Sequence, residues 1–304
     1  MRARLLAGLL LLAAPAGAAR RLSSADFLNL PLDVRALGLA EAAQAVAQGA
    51  GAVTTNPAAI DAVMANDAYF THSFLYADIG SDYFSYGVRL GEHHLGASLY
   101  HVGYGTLQGR DDQGNAAGSY GPHDTVYGLT YGAKAFGADL GASLKYLESQ
   151  IVETAHAFTF DLGGKYSPAE NWMLGLSGHD IGGSLKYEGV NEPLPTRVAL
   201  GAGWRALSGL WLDLDGVFPV YNPAYIALGG EYEAPVKDIG AACLRMGFNT
   251  KTPDLGHFGG LNLGVGLRLK NSVELDYAFS PAGDLGISHH LALGYRFGAE
   301  KSER

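Results

Sequence analysis

Ten histidines in a chain of 304 residues are the side chains best suited to chemistry. His93-His94 and His289-His290 are sequence neighbours, and neighbours on a strand point to opposite faces, so neither pair can chelate one metal. The stretch Asp111-Asp112-Gln113-Gly114-Asn115 offers oxygen ligands but not the bidentate acid that an EF-hand loop needs. A hydrolytic relay would require a serine, a histidine and an acid to converge across strands, Ser177 and His179 being one example. No Gly-x-Ser-x-Gly elbow, P-loop, His-Glu-x-x-His or Ser-x-x-Lys signature accompanies them. The chain is therefore read as a non-enzyme with no catalytic residue, metal site or cofactor. Its formal charge of −9 becomes −11 when Arg2 and Arg4 leave with a leader, which argues against nucleic acid as a partner because phosphate contacts require a basic face.

The elements that would position any site begin behind that leader. Arg2 and Arg4, the apolar run Leu5 to Ala14 and the small residues Ala16-Gly17-Ala18 form a secretory signal, residues 1–18, with cleavage expected near Ala18. The lone Cys243 allows no intrachain disulfide. Residues 19–66 read as an irregular or helical plug, with Ala36 to Ala47 the helix candidate and Gly49 to Gly51 its terminator. From there to residue 298 apolar and polar or small residues alternate with a period of two, and 299–304 form a charged tail. About fourteen strand-like segments follow one another: 68–77, 82–91, 93–104, 123–136, 138–152, 154–166, 171–180, 196–206, 209–219, 225–234, 238–249, 258–269, 271–279 and 286–297. Tight links follow most even-numbered segments, as at Gly91-Glu92-His93, and long ones most odd-numbered segments, as at Gly105 to Pro122. That parity predicts an all-β fold, a transmembrane antiparallel β-barrel of about fourteen strands with an N-terminal plug in its lumen and both termini in the periplasm.

The alternation also assigns faces. Leu210, Leu212 and Leu214 would meet lipid while Trp211, Asp213 and Asp215 face inward; Leu261 to Leu269 and Val273 to Phe279 divide in the same way. Arg205, Arg245, Arg268 and Arg296 would then share the lumen with Asp213, Asp215, Glu231, Glu274 and Asp276, and a desolvated charge needs a partner. A salt-bridge network bracing the wall is favoured over a substrate-binding role. Arginine at Leu212 or Leu263 should damage the barrel more than arginine at the lumen-facing Gly264.

Several motifs then carry a resemblance. Phe27-Leu28-Asn29-Leu30, Asp33-Val34-Arg35-Ala36-Leu37-Gly38-Leu39, Ala45-Val46-Ala47 and Thr54-Thr55-Asn56-Pro57-Ala58-Ala59 occur in this order ahead of the first strand, and Asp284-Leu285-Gly286-Ile287-Ser288-His289 runs into the last. Together they resemble PorV/PorQ family outer-membrane proteins, members of the wider FadL-like barrel group. Thr54-Thr55 departs from the aromatic residue that relatives often carry before Asn-Pro-Ala, and Ala59 stands where glycine is common. The resemblance implies fourteen strands and a plug with Arg35, Gly38, Asn56, Pro57 and Ala58 on the ligand path. Tyr295 and Phe297, in the final strand, would be the signal read by the barrel assembly machinery or members of an interfacial aromatic girdle.

A bacterial outer-membrane location follows, with outer-membrane lipid around the wall. The leading function is passage of hydrophobic or small molecules. The alternatives are a type IX secretion component that binds or shuttles secreted proteins, and a closed structural barrel. The loops Gln108 to Pro122 and Lys186 to Pro195 are mostly polar, which weakens lipid capture from outside.

Overall fold

A computed structural model describes residues 23–298 except 78, 112, 152, 188, 252–258, 271, 282, 284 and 285. The signal segment 1–18, the 299–304 tail and Asp284-Leu285 of the C-terminal motif lie outside the described residues.

Eighteen strands run along the chain: β1 (Asn66–Phe74), β2 (Gly80–Leu90), β3 (His93–Gly103), β4 (Leu107–Arg110), β5 (Ala116–Tyr120), β6 (His123–Ala135), β7 (Ala138–Gln150), β8 (Thr154–Ala169), β9 (Trp172–Ile181), β10 (Ser184–Tyr187), β11 (Val190–Pro193), β12 (Arg197–Leu207), β13 (Leu210–Pro219), β14 (Tyr225–Val236), β15 (Gly240–Asn249), β16 (Leu261–Leu269), β17 (Val273–Pro281) and β18 (Ile287–Phe297). Fourteen of them close into one antiparallel barrel, the seam being β1 against β18 with Asn66 opposite Phe297. The other four form two separate hairpins, β4–β5 and β10–β11. Closure leaves no edge strand, the one way a sheet can satisfy its backbone in lipid.

One mouth carries tight turns. Phe136-Gly137 is a two-residue link with φ of 55° and 78°, the mirror-image turn whose twist suits paired strands. The opposite mouth carries both hairpins and the 250–260 link. The expected alternation of link lengths holds, two or three residues at one mouth against five or more at the other, with one exception, the three-residue β7–β8 link; the β1–β2, β13–β14 and β17–β18 links have five residues each.

The outer surface is an apolar skin in which Phe70, Leu129, Leu162, Leu214, Leu244 and Leu293 all stand exposed. Aromatic pairs lie toward both mouths: Trp172 stacks on Trp204 at 5.9 Å and Tyr295 on Phe297 at 5.3 Å near the short turns, and Tyr146 lies against Phe158 at 5.0 Å toward the long loops. On the β1–β8 side the skin is crossed by a row in direct register, His72, Asp82, His101, Thr125, Glu148 and His156. His72 and Asp82 pair at 2.7 Å, which limits the cost of holding them on the outer wall.

The N-terminal segment threads the barrel from end to end. Ser24 donates its N–H to Pro193 in the β10–β11 hairpin at the long-loop mouth, while Phe297 lies beside Asn66 at the other. The described residues therefore begin at one mouth and end at the other, whereas both termini were expected on one side; Ala19 and the 299–304 tail themselves lie outside the described residues. Parity constrains only the strands, and the plug crosses the lumen before the first of them.

The helix is also shorter than expected. It spans Val34–Gly38, with the Asp33 carboxylate accepting from the Arg35 N–H as its N-cap. It ends because Ala40 turns left-handed at φ 53°, with Ala40 N–H donating to Leu37 O and Glu41 N–H to Ala36 O, the paired bonds of a Schellman cap. Alanine in that conformation is strained by roughly 1–2 kcal/mol. The strain is held in place by the wall, since the Leu39–Ala40 backbone lies where a Cβ at Gly247 would be.

This contact recurs around the lumen. A Cβ at Gly141 would strike the Pro57–Ala58 backbone, one at Gly163 the Asn56 side chain and Pro57, one at Gly175 the Gln44–Ala45 backbone, and one at Gly229 Leu39. Gly264 and Gly38 meet with a Cα only 3.0 Å from where the Gly264 Cβ would sit. Gly264 faces the lumen as assigned, but the lumen there is full, so the expected tolerance of arginine is overturned. Leu212→Arg on the lipid face should cost about 2–4 kcal/mol near mid-membrane, and Gly264→Arg at least as much, both read from urea titrations of protein folded into vesicles.

Candidate functional site

The plug is made of short pieces. After the helix come two 3₁₀ turns, Ala50–Thr54 and Pro57–Ala62. Asn56 is fully buried and caps the second, its Oδ1 accepting from the Ala58 N–H at 3.0 Å while its Nδ2 donates to Gln44 O at 3.0 Å. Pro57 takes the first helical position, where a missing N–H costs nothing. The Asn-Pro-Ala motif is thus a cap pressed between Gly141 and Gly163.

In the short-turn half of the lumen, charges join the plug to the wall. Arg35 grips Glu231 with two parallel bonds, Nε to Oε2 and Nη2 to Oε1, each 2.9 Å. Arg245 pairs with the same Glu231 and with Asp276. Arg268 bonds Glu233 and Glu274, and Arg296 bonds Glu274 at 2.9 Å and approaches Asp67 at 3.9 Å. Burial pushes the Asp33 carboxyl above its usual range against the pull of Arg35. Burial lowers Arg35, but Glu231 more than offsets this and holds the guanidinium above its ordinary value.

Three residues expected in this network stand apart from it. Arg205 faces inward at the open mouth, but its guanidinium lies over the Trp211 ring at 4.8 Å rather than on a carboxylate. Asp215 accepts the Ala43 and Gln44 N–H groups at 2.8 and 2.9 Å, so it caps plug backbone. Asp213 is buried, and neither oxygen has a hydrogen-bond partner among the described residues. Glu233 and Asp67 belong to the network and were not anticipated.

A second charged cluster, also unanticipated, lies in the long-loop half. Lys145 bridges Asp161 and Asp180, and Arg197 donates to Asp180 at 3.2 Å. The register slips between Phe160 and Leu162 on β8, so that the consecutive His179 and Asp180 of β9 are both buried. Such a bulge re-aims side chains that a regular strand would send to opposite faces. Asp180 adopts φ 54° to do so.

His179 stands between Ser177, 2.9 Å from Nε2, and Asp161, 3.5 Å from Nδ1. The order is that of a hydrolytic relay, but the bonds lead elsewhere. Ser177 donates to Gln44 Oε1 at 2.6 Å, and the Thr55 carbonyl, 3.1 Å from His179 Nε2, can only accept. The serine is also fully buried beneath the plug. This row is a latch that ties Gln44 and Thr55 to the wall. His94 and His290 are buried inward while His93 and His289 bond Tyr131 and Tyr277 outside, so each neighbouring pair is divided by the wall.

Between the latch and the long-loop mouth the segment Leu28–Leu32 divides the lumen. On one side is a cavity of about 90 Å³, with Tyr83, Tyr100 and Val126 on one wall and Lys145, His179 and Arg197 on another. On the other side a hollow of about 460 Å³, with Glu41, Lys251 and His290 in its lining, lies at the long-loop half.

No protein-family model matches the chain, and no curated protein matches it. Solved structures do share its fold. The Pseudomonas putida toluene transporter TodX aligns with a TM-score of 0.58 at 12% identity over 86% of this chain and 98% of its own. The Ralstonia pickettii toluene transporter TbuX aligns at 0.57 and 13%, over 88% of this chain and 98% of its own. A Pseudomonas aeruginosa FadL homologue gives 0.56 and 13%, again over 88% and 98%. The fold is therefore that of FadL-like barrels.

Glu231→Ala should cost about 3–5 kcal/mol, because Arg35 and Arg245 would remain buried without their shared carboxylate, whereas Arg205→Ala should cost under about 1 kcal/mol; thermal unfolding in detergent compares them. A carboxyl raised in the folded state binds its proton more tightly there than unfolded, so the stability Asp33 contributes is greatest at low pH and falls as pH rises through its folded value. Asp33→Asn should keep the cap and lessen that decline, while Asp33→Ala should lose about 1 kcal/mol, both read from urea titrations at pH 4 and pH 8.

Proposed function

We propose that this protein is a bacterial outer-membrane barrel that passes small hydrophobic or amphipathic molecules through its lumen past the plug. The observation that carries this reading is the lumen itself. A rigid barrel serving only as an anchor needs no chamber, yet here a half-apolar cavity, lined by tyrosine, leucine and valine on one side and by charge on the other, lies between the long-loop mouth and a polar latch. Apolar pockets with a few placed polar groups are the usual form of small-molecule sites. The TodX, TbuX and FadL-homologue structures are transporters or homologues by their own descriptions, and their shared fold supports the same class of duty.

In this reading the long-loop mouth is extracellular and the short-turn mouth periplasmic. Residues 1–18 direct export, and Tyr295 and Phe297, outward at the periplasmic end of β18, present the last strand to the assembly machinery. Arg35, Gly38, Asn56, Pro57 and Ala58 anchor the plug beside the ligand path, and Arg245, Arg268, Glu274, Asp276 and Arg296 hold its periplasmic flank.

A PorV/PorQ-type secretion component is the second reading. The β4–β5 and β10–β11 hairpins, which form separate sheets at the long-loop mouth, favour it as a place for a secreted protein to dock.

Uptake into proteoliposomes separates the two. The intact barrel should admit small aromatic probes, and Ala199→Trp, which fills the cavity from its wall, should cut uptake at least about tenfold, as misplacement in a fitted path does. The variant should keep the heat-modifiable gel mobility of a folded barrel. A barrel sealed to every probe, with or without residues 22–58, would assign it to secretion or structural duty.

A further inference from the structure

The chamber does not have the lining of a hydrocarbon site. Its Tyr83 hydroxyl is buried beside the hydroxyls of Ser85 and Ser98 without a well-formed hydrogen bond among the described residues. An aromatic hydroxyl normally finds a partner when buried, and a bare hydrocarbon in the chamber would leave this one unpaired. On the facing wall Lys145, Asp161 and Arg197 line the chamber and, with the fully buried Asp180 behind them, pair with one another, two cations with two anions. The bulge in β9 exists to bring Asp180 into that group beside His179.

The balance of this cluster selects by charge. A carboxylate head reaching Lys145 or Arg197 would also meet Asp161 and Asp180, and an ammonium head would meet the reverse. A neutral hydroxyl both donates and accepts, so it can bond Tyr83 and the edge of the cluster without upsetting either pair.

Resting on the reading of the chamber as a ligand site, we propose that it takes a small molecule with a neutral hydrogen-bonding head, an alcohol or phenol, on an apolar body. The body has a defined place. The chamber's roughly 90 Å³ is less than the roughly 150 Å³ that holds a benzene ring in an engineered cavity. The ligand therefore takes the room of the half-buried Leu28 and Leu30, which share its apolar wall with Tyr100 and Val126.

Toluene, p-cresol and 4-methylbenzoate share one body and differ only in the head, so they test the proposal by titration calorimetry on the detergent-solubilised full-length protein. p-Cresol should bind about tenfold more tightly than either of the others, the factor that one ordinary net hydrogen bond supplies. Tyr83→Phe should shrink that advantage while leaving toluene unchanged. Toluene or 4-methylbenzoate binding as tightly as p-cresol would overturn the neutral-head selection and leave the transport reading standing, as would a p-cresol advantage untouched by Tyr83→Phe. Failure of all three to bind would overturn both.

Discussion

The structure depends on how closely the plug backbone can approach the barrel wall. At Gly141, Gly163, Gly175, Gly229 and Gly247 a single added Cβ would occupy space already taken by plug atoms, mostly backbone. These glycines weaken their strands in isolation, since glycine packs nothing and loses the most entropy on folding. The weakness is offset because each admits main chain where a side chain would hold it off. The plug answers with alanine: Ala42, Ala45, Ala47, Ala58 and Ala59 are all essentially inaccessible. A lumen enclosed by fourteen strands can thus hold a folded segment with capped turns instead of a bundle of side chains.

Close packing leaves the plug with many backbone groups that no regular helix satisfies, and this fixes where the wall's polar residues must be. Asp215 accepts two plug N–H groups, Asn262 and Asn249 donate to Leu37 O and Ala40 O, and Lys165 donates to Ala47 O at 2.7 Å. Each is a wall side chain completing a bond that a longer helix would have made internally. The charged groups divide accordingly. Those near the short-turn mouth brace the plug through Arg35, whereas those at the bulge are satisfied chiefly among themselves and border the chamber.

Strands and their faces were legible because a wall with lipid outside and a filled lumen inside leaves a period-two record along every strand. The fourteen barrel strands overlap the fourteen expected segments, with ends shifted by a few residues. Inward charge was legible for Arg245, Arg268, Glu274 and Asp276 for the same reason. Lys145 and Asp161 obey that parity too and could have been found by extending it to β7 and β8. His179 obeys it as well, on the same face as Ser177, but Asp180 could not be found in this way, because a bulge suspends the period locally. The helix end was hidden because alanine at positions 36 to 47 favours a helix everywhere, and the turn at Ala40 is imposed by Gly247 on a strand some two hundred residues away. The role of Gly264 was illegible for the same reason: facing the lumen says nothing about what fills it.

The two kinds of contact also decide where the lumen can yield. Backbone seated against glycine has no slack, since close-packed groups lose their contacts with a gap of less than an ångström, and these seats lie on β7 to β9 and β14 to β16. The latch of Ser177, His179, Gln44 and Thr55 is instead a chain of neutral hydrogen bonds, each of which water or a polar ligand can replace at little net cost. It stands directly beneath the chamber, and Gln44 and Thr55 are themselves part of the chamber lining. A molecule with a hydrogen-bonding head would therefore meet, at the floor of its site, a plug contact it can substitute, while the glycine seats and the Arg35–Glu231 fork hold the rest of the plug in place.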